Sequence, residues 1–297
     1  MKAIYISVRT GSSRLPNKSI LKIKDTYTIE YVISSVKKSK YADEIILCTT
    51  EKIEDDILCE IAKQNNIKFY RGDEHDKFKR WYGACKEFNI DLFVTADGDD
   101  LFYDAGLADL CFEQINDNDF IDGQGLYNDV YGMKRNTVQY IIETYKRNIE
   151  PHEITKVLKN TELRVKKLKN INKLYEKKNI RMTLDYEEDF DFFKTIIENL
   201  NDGFTLKDIL SYIGDNKSVI DINYFREKDW VTKQGIDEVE NKLQVGDWVI
   251  PKVIGIVELG DPPYEVTEIE DDIYTIVQME GNHKHTMRLP IDKLRVI

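Results

Sequence analysis

The chain has 297 residues, of which 41% are hydrophobic and 33% charged, and its formal net charge is −11. That length suits one large domain with a buried core plus a smaller one, and the acidic balance excludes a general nucleic-acid binder, which needs a basic face. No amino-terminal apolar segment has the form of a signal peptide, and no run approaches the roughly 20 apolar residues of a membrane span, so a cytoplasmic protein without membrane contact is expected. The cysteines Cys48, Cys59, Cys85 and Cys111 form no C-x-x-C pair and read as buried reduced thiols.

Ala3 to Ile6 is a short apolar strand that runs into Ser7–Ser19, Ser-Val-Arg-Thr-Gly-Ser-Ser-Arg-Leu-Pro-Asn-Lys-Ser. Loops at the carboxyl edge of an α/β sheet are where ligands bind. The small-residue turn Thr10-Gly11-Ser12-Ser13 lets backbone N–H groups approach an anion, and Arg9, Arg14 and Lys18 surround it with positive charge. Such a set suits a polyphosphate, and a nucleoside triphosphate is the expected ligand. The loop is neither a Walker A sequence nor a G-x-G-x-x-G turn.

Downstream, the spacing predicts a helix over 29–39, a strand over 44–50, an amphipathic helix over 53–65 and a strand over 67–70. This alternation predicts an α/β fold with a doubly wound, mostly parallel sheet. Arg71 and Gly72 close the last of these strands, and a helix over 78–88 carries Arg80, Trp81 and Tyr82. The strand 92–96 then runs straight into Asp97-Gly98-Asp99-Asp100. Carboxylates gathered at a strand end repel one another, and a divalent cation relieves the repulsion; Mg²⁺ fits, since it takes hard oxygen ligands and shares them with phosphates.

Residues 106–118 read as a helix, 119–125 as a strand and 138–146 as a helix, with Tyr127, Asn128, Tyr131, Lys134 and Arg135 between the last two. His152 follows Pro151 at a helix start, and 166–178 reads as a basic, solvated face. A strand over 180–184 is expected to deliver Asp185 to the same sheet edge, ahead of helices over 190–200 and 205–213. Beyond about residue 230 the helical period ends. Short alternating strands around Val245–Ile250, 264–269, 274–279 and 285–289 suggest a small all-β, SH3-like barrel, with His283 and His285 as turn residues. Residues 236–297 hold 13 acidic and 6 basic residues, which makes the barrel a poor nucleic-acid binder and suits it to a protein partner or a second copy of the chain.

Arg9, Ser12, Arg14, Leu15, Pro16 and Lys18 spell R-x-x-S-x-R-L-P-x-K, which resembles the signature of the CMP-sugar-activating cytidylyltransferases, of the spore-coat-polysaccharide and 3-deoxy-manno-octulosonate types. The resemblance covers residues 1 to about 228. It implies a nucleotidyltransferase domain over 1–228 and does not extend to the tail, where the change of composition and the strand pattern alone suggest a linker (229–243) and the barrel (244–297). The implied activity is Mg²⁺-dependent transfer of CMP from CTP to a sugar, sugar acid or phosphorylated acceptor, with release of pyrophosphate. It also implies nucleotide contacts from Val8, Arg9, Gly11, Ser12, Ser13, Arg14, Lys18, Arg71 and Gly72, with Arg9, Arg14 and Lys18 acting on the leaving group. Asp99 matches the family's metal ligand, although Leu101 stands where the family has Pro, and Asp97 completes a D-x-D. Asp185, in Arg181-Met182-Thr183-Leu184-Asp185, matches the second metal contact. His152, Tyr127 and Arg181 are the acceptor-side candidates. An alternative is a glycosyltransferase that uses the D-x-D on a nucleotide sugar, but such an enzyme has no need of the cationic loop; a non-catalytic binding protein is a third.

Overall fold

The structure is a computed structural model and describes residues 1–145, 161–175 and 180–227, together with 248–251, 264–270, 273–280, 283–290 and 294–296. The chain divides into two compact units, Met1–Asp229 and Trp230–Ile297.

In the first unit the elements run β1 (Lys2–Ser7), β2 (Lys22–Ile23), β3 (Thr26–Tyr27), α1 (Thr28–Val36), β4 (Glu44–Thr50), α2 (Asp56–Gln64), β5 (Lys68–Gly72), α3 (Lys77–Glu87), β6 (Leu92–Asp97), α4 (Ala105–Gln114), β7 (Phe120–Gly123), β8 (Val130–Lys134), α5 (Arg135–Thr144), β9 (Val165–Lys167), α6 (Glu187–Asn199) and α7 (Leu206–Asp215). Seven strands form one sheet in the order β5-β4-β1-β6-β8-β7-β9. Neighbours are parallel except where β8 joins β6 and β7.

Side-chain alternation along β1 explains why helices cover both faces. Ile4 and Ile6 pack with Val32 and Ile33 of α1, Leu58 of α2 and Leu107 of α4, whereas Ala3 and Tyr5 pack with Phe78 and Trp81 of α3 and Val138 of α5. From β1 the chain winds outward through β4 and β5, then crosses back to lay β6 on the other side of β1. The β1/β6 crevice is therefore the point where strand order reverses, and its carboxyl end is the natural ligand site of an open α/β sheet.

Three expectations need correction. Residues 131–135 are not a connecting segment: Val130–Lys134 is strand β8, antiparallel to β6 and β7, and α5 begins at Arg135 rather than at 138. The basic run from 166 is solvated as expected, with Lys167, Lys169 and Lys173 exposed, but its start is regular structure that was not expected: Val165–Lys167 pairs with β7 as the sheet's edge strand. Among the described residues, 180–184 join no ladder; Ile180, Met182 and Leu184 instead pack as extended chain against Phe192, Phe193 and Ile196 of α6.

In the second unit, β10 (Trp248–Pro251), β11 (Tyr264–Glu270), β12 (Ile273–Glu280), β13 (His283–Pro290) and β14 (Leu294–Val296) form an antiparallel sheet in the order β13-β12-β11-β10-β14. His283 and His285 lie on β13, paired with Glu280 and Gln278, and not in a turn.

Candidate active site

β1 and β6 end side by side, with Ser7 in register with Asp97. The turn after β6 lies directly on the start of the cationic loop: the Gly98 N–H donates to the Ser7 carbonyl at 2.9 Å, and a Cβ on Gly98 would stand 2.6 Å from Val8 Cβ. Only glycine allows the two chains to come this close, and the contact sets the carboxylates of the turn beside the loop.

The loop is fastened at both ends. Near its start the buried Asp55 accepts from the Thr10 N–H at 2.8 Å and the Thr10 hydroxyl at 2.7 Å, and also from the Thr49 hydroxyl and from Thr50 at the end of β4. Burial raises the Asp55 pKa, but the hydrogen bonds from Thr50 and Thr10 outweigh it and hold the carboxyl below its usual range. Farther on, the carbonyl of Thr10 accepts from the N–H groups of Ser12 and Asn17, and Asn17 turns the chain with a φ of 58°. Among the described residues, the N–H groups of Gly11, Ser13 and Arg14 donate to no protein acceptor. This leaves a row of donors, with Gly11 and Ser13 exposed, beside two cationic side chains.

Those side chains, Arg14 and Lys18, meet Asp99 and Asp185. Lys18 Nζ lies 2.6 Å from Asp99 Oδ2 and 2.8 Å from Asp185 Oδ1, and Arg14 Nη2 lies 2.7 Å from the same Asp185 oxygen. Burial lowers the Lys18 pKa, but Asp99 and Asp185 outweigh it and the net shift is upward, so the ammonium is held charged. Burial raises the Asp99 pKa, yet Lys18 and then Lys77 bring it below the usual range. Asp97 stands 3.5 Å from Lys77 Nζ and is pushed up, by burial first and by Asp99 next. Asp100 is driven well above the carboxylate range by burial and by Asp99 and Asp97, with Asn128 opposing the shift.

Asp185 is held from behind by a second ion network. The buried Arg181 reaches Asp185 Oδ2 at 3.2 Å, Asp189 Oδ1 at 2.8 Å and Glu227 Oε2 at 3.0 Å, and Asp189 also accepts from the N–H groups of Asp185 and Tyr186. The Leu184 N–H donates to the Asp99 carbonyl at 3.0 Å, which ties this segment to the β6 turn. The ring of Tyr186 lies under the guanidinium carbons of Arg14, Arg181 and Arg226, at 5.7, 5.6 and 4.9 Å.

The structure thus gathers Arg14, Lys18, Asp99 and Asp185 into one cluster, with Asp97 at its side, and places Val8, Gly11, Ser12 and Ser13 along the adjoining loop. Arg9 is exposed and makes no hydrogen bond or ion pair among the described residues. Arg71 and Gly72 end β5 at the same sheet edge, but the Arg71 guanidinium is engaged by Thr50, Lys52 and Asp56. Tyr127 is buried, its N–H donating to the Tyr175 carbonyl. Arg181, the other acceptor-side candidate, is 2% exposed and turned toward the carboxylates of Asp185, Asp189 and Glu227. His152 lies outside the described residues. Among the described residues, no group of three or more His, Cys, Asp or Glu side chains converges as a ready metal set. Asp55, Lys77 and Asp189 were missed as site residues: the first and last read as helix starts, and no local pattern pairs Lys77 with Asp97.

The family model described as Cytidylyltransferase matches residues 3–201. The chain belongs to the cytidylyltransferase family. It is accordingly a nucleotidyltransferase, and the glycosyltransferase and non-catalytic alternatives lose their ground. Over 234 residues it is 28% identical to "Uncharacterized protein MJ1063" of Methanocaldococcus jannaschii, spanning 75% of this chain and 95% of that protein. Over 124 residues it is 25% identical to the spore coat polysaccharide biosynthesis protein SpsF of Bacillus subtilis, spanning 39% and 52% of the two. Among solved structures, a cytidylyltransferase from Leptospira borgpetersenii superposes with a TM-score of 0.64 at 26% identity, covering 74% of this chain and 96% of that one. CMP:2-keto-3-deoxy-manno-octonic acid synthetase, solved with CTP, shares the fold with a TM-score of 0.53 at 12% identity, covering 66% and 98%. The matched region of the family model ends before α7, so the second unit stands outside it.

Proposed function

We propose that this cytidylyltransferase transfers CMP from CTP to a sugar, sugar acid or phosphorylated acceptor and releases pyrophosphate. The observation that carries the reading is the convergence of Arg14 and Lys18 with Asp99 and Asp185 at the β1/β6 crevice. An acceptor oxygen attacks the α-phosphorus in line, the bond from that phosphorus to the α–β bridging oxygen breaks, and pyrophosphate leaves with the electron pair. Arg14 and Lys18 neutralise charge on the leaving group, the N–H groups of Gly11, Ser13 and Arg14 cradle the phosphates with Val8 and Ser12 shaping the turn, and Arg9, Arg71 and Gly72 line the nucleotide side. His152 and Tyr127 belong to the acceptor side. The donor set suits a hard divalent cation such as Mg²⁺: Asp99 and Asp185 would hold it, with Asp97 adjacent, and the bound ion would offset charge on the phosphates. CTP and the thiols Cys48, Cys59, Cys85 and Cys111, all buried and free, suit the cytoplasm. No described helix is long and apolar enough to cross a membrane.

For the remainder of the chain we read 229–243 as a linker and 244–297 as an SH3-like barrel, on the strength of the five-stranded antiparallel order. Its excess of acidic residues suits a protein partner or a second copy of the chain.

Incubation with each of the four nucleoside triphosphates against a panel of sugar acids and sugar phosphates, read by pyrophosphate release, tests the reading. Release is expected with CTP and one acceptor class in the presence of Mg²⁺. No release with any pair, or a preference for another base, would overturn it.

A further inference from the structure

The oxygens that a divalent ion needs are already occupied by the loop's own cations. Lys18 Nζ lies between Asp99 Oδ2 and Asp185 Oδ1 at 2.6 and 2.8 Å, with its side chain 14% exposed. Mg²⁺ binds carboxylate oxygens at about 2.0–2.1 Å, so an ion on those two oxygens would take the place of the ammonium. Two cations cannot share it: the steric overlap is direct and their repulsion acts across a partly desolvated gap.

Asp185 is built to survive an exchange of cations. Its other oxygen, Oδ2, is held by Arg181, and Asp189 fixes both Arg181 and the backbone N–H of Asp185. Asp99 is placed by the β6 turn and by its carbonyl's bond from Leu184. Neither carboxylate therefore depends on Lys18 for its position, whereas Lys18, once displaced, needs a new anion.

We propose that Lys18 is a placeholder cation: it occupies the metal position between Asp99 and Asp185 in the nucleotide-free enzyme and moves onto the triphosphate as the metal enters. This rests on the transferase reading of the site and deepens it, because the two ligands become coupled. Metal entering alone leaves the ammonium without its two carboxylates, and nucleotide entering alone must draw Lys18 off carboxylates that are then uncompensated. Metal and nucleotide together satisfy both, so each strengthens the binding of the other by the same factor.

The test uses the full chain and Mn²⁺ alone, without nucleotide. Binding is followed by the loss of the free-ion electron paramagnetic resonance signal. Lys18→Met removes the competing charge, and its Mn²⁺ affinity should rise by about tenfold or more, since the ion no longer breaks a partly buried ion pair. Lys18→Arg keeps a cation in place and should show no such rise. An affinity in Lys18→Met equal to or below that of the wild type overturns the proposal. Should Lys18→Met fail to fold, the wild-type protein carries the test: reductive methylation of Lys18, quantified by peptide mass spectrometry, should speed up several-fold when saturating Mn²⁺ frees the amine, while the lysines of exposed helices stay constant. An unchanged Lys18 rate overturns the proposal equally. Neither readout contains CTP, so failure of pyrophosphate release would strike the transferase reading by itself.

Discussion

The two carboxylates of the cluster reach it by different means. Asp99 stands in a turn whose position is dictated by the sheet: β6 is paired with β1 along its whole length, and Gly98 presses that turn against Val8. Asp185 comes from a stretch with no strand partner, held by burial of Ile180, Met182 and Leu184 against α6 and by the ion network of Arg181 and Asp189. A site residue on a ladder inherits its precision from many cooperative backbone bonds. One on an unpaired segment depends on a few charged contacts, each costly to leave half-made in a buried setting. Asp99 should therefore tolerate loss of its charge without harm to the fold, and Asp185 should not.

The most severe way to break this contrast is Arg181→Met. It leaves Asp189 and Asp185 short of a buried cation and removes the pair between Arg181 and Glu227, so a loss of about 3–5 kcal/mol is expected in urea-induced unfolding. An unchanged midpoint would mean that apolar packing alone holds the segment.

Asp99→Asn and Asp185→Asn sharpen the comparison directly. Each should lower turnover by about 10²-fold or more, and because both act on one cation the double variant should be little worse than either single one. The unfolding midpoint should separate them: near wild type for Asp99→Asn, and reduced for Asp185→Asn, which takes a carboxylate from Arg14, Lys18 and Arg181 together. Equal midpoints would erase the distinction.

The mildest of the three perturbs the sheet-borne side. Gly98→Ala brings a methyl group to 2.6 Å from Val8 Cβ, so β1 and the β6 turn must part. Overpacking of this kind costs about 1–3 kcal/mol, and here it should also raise the KM for nucleotide by moving the loop away from Asp99. A variant with wild-type stability and KM would show that the close approach is incidental.

Much of this was legible in the chain because the information is local. Strands β1, β4 and β6 are apolar, β-branched runs ending in loop residues, and R-x-x-S-x-R-L-P-x-K needs only ten consecutive positions to be recognised. β8 escaped because Val-Tyr-Gly-Met-Lys has a glycine at its centre and no clear alternation; Gly132 sits where the strand passes close to Cys111 and Ile121, and a Cβ there would stand 3.3 and 3.4 Å from theirs, a tight fit. The stretch 180–184 misled in the opposite sense. Its apolar alternation is that of any extended segment with one buried face, and a helix can supply that face as well as a sheet can.

By itself the sequence determined the alternation of strands and helices, the cationic loop after β1, the carboxylates after β6 and the change of character beyond residue 230. Each of these follows from residue type and spacing over a few positions. Only the tertiary structure decided that Lys18 would lie between Asp99 and Asp185, that Arg181 would pair with Asp185 and Asp189, and that Asp55 would moor the loop. These pairings join side chains far apart in the chain, and their geometry and burial exist only once the sheet and the packing of α6 have brought them together.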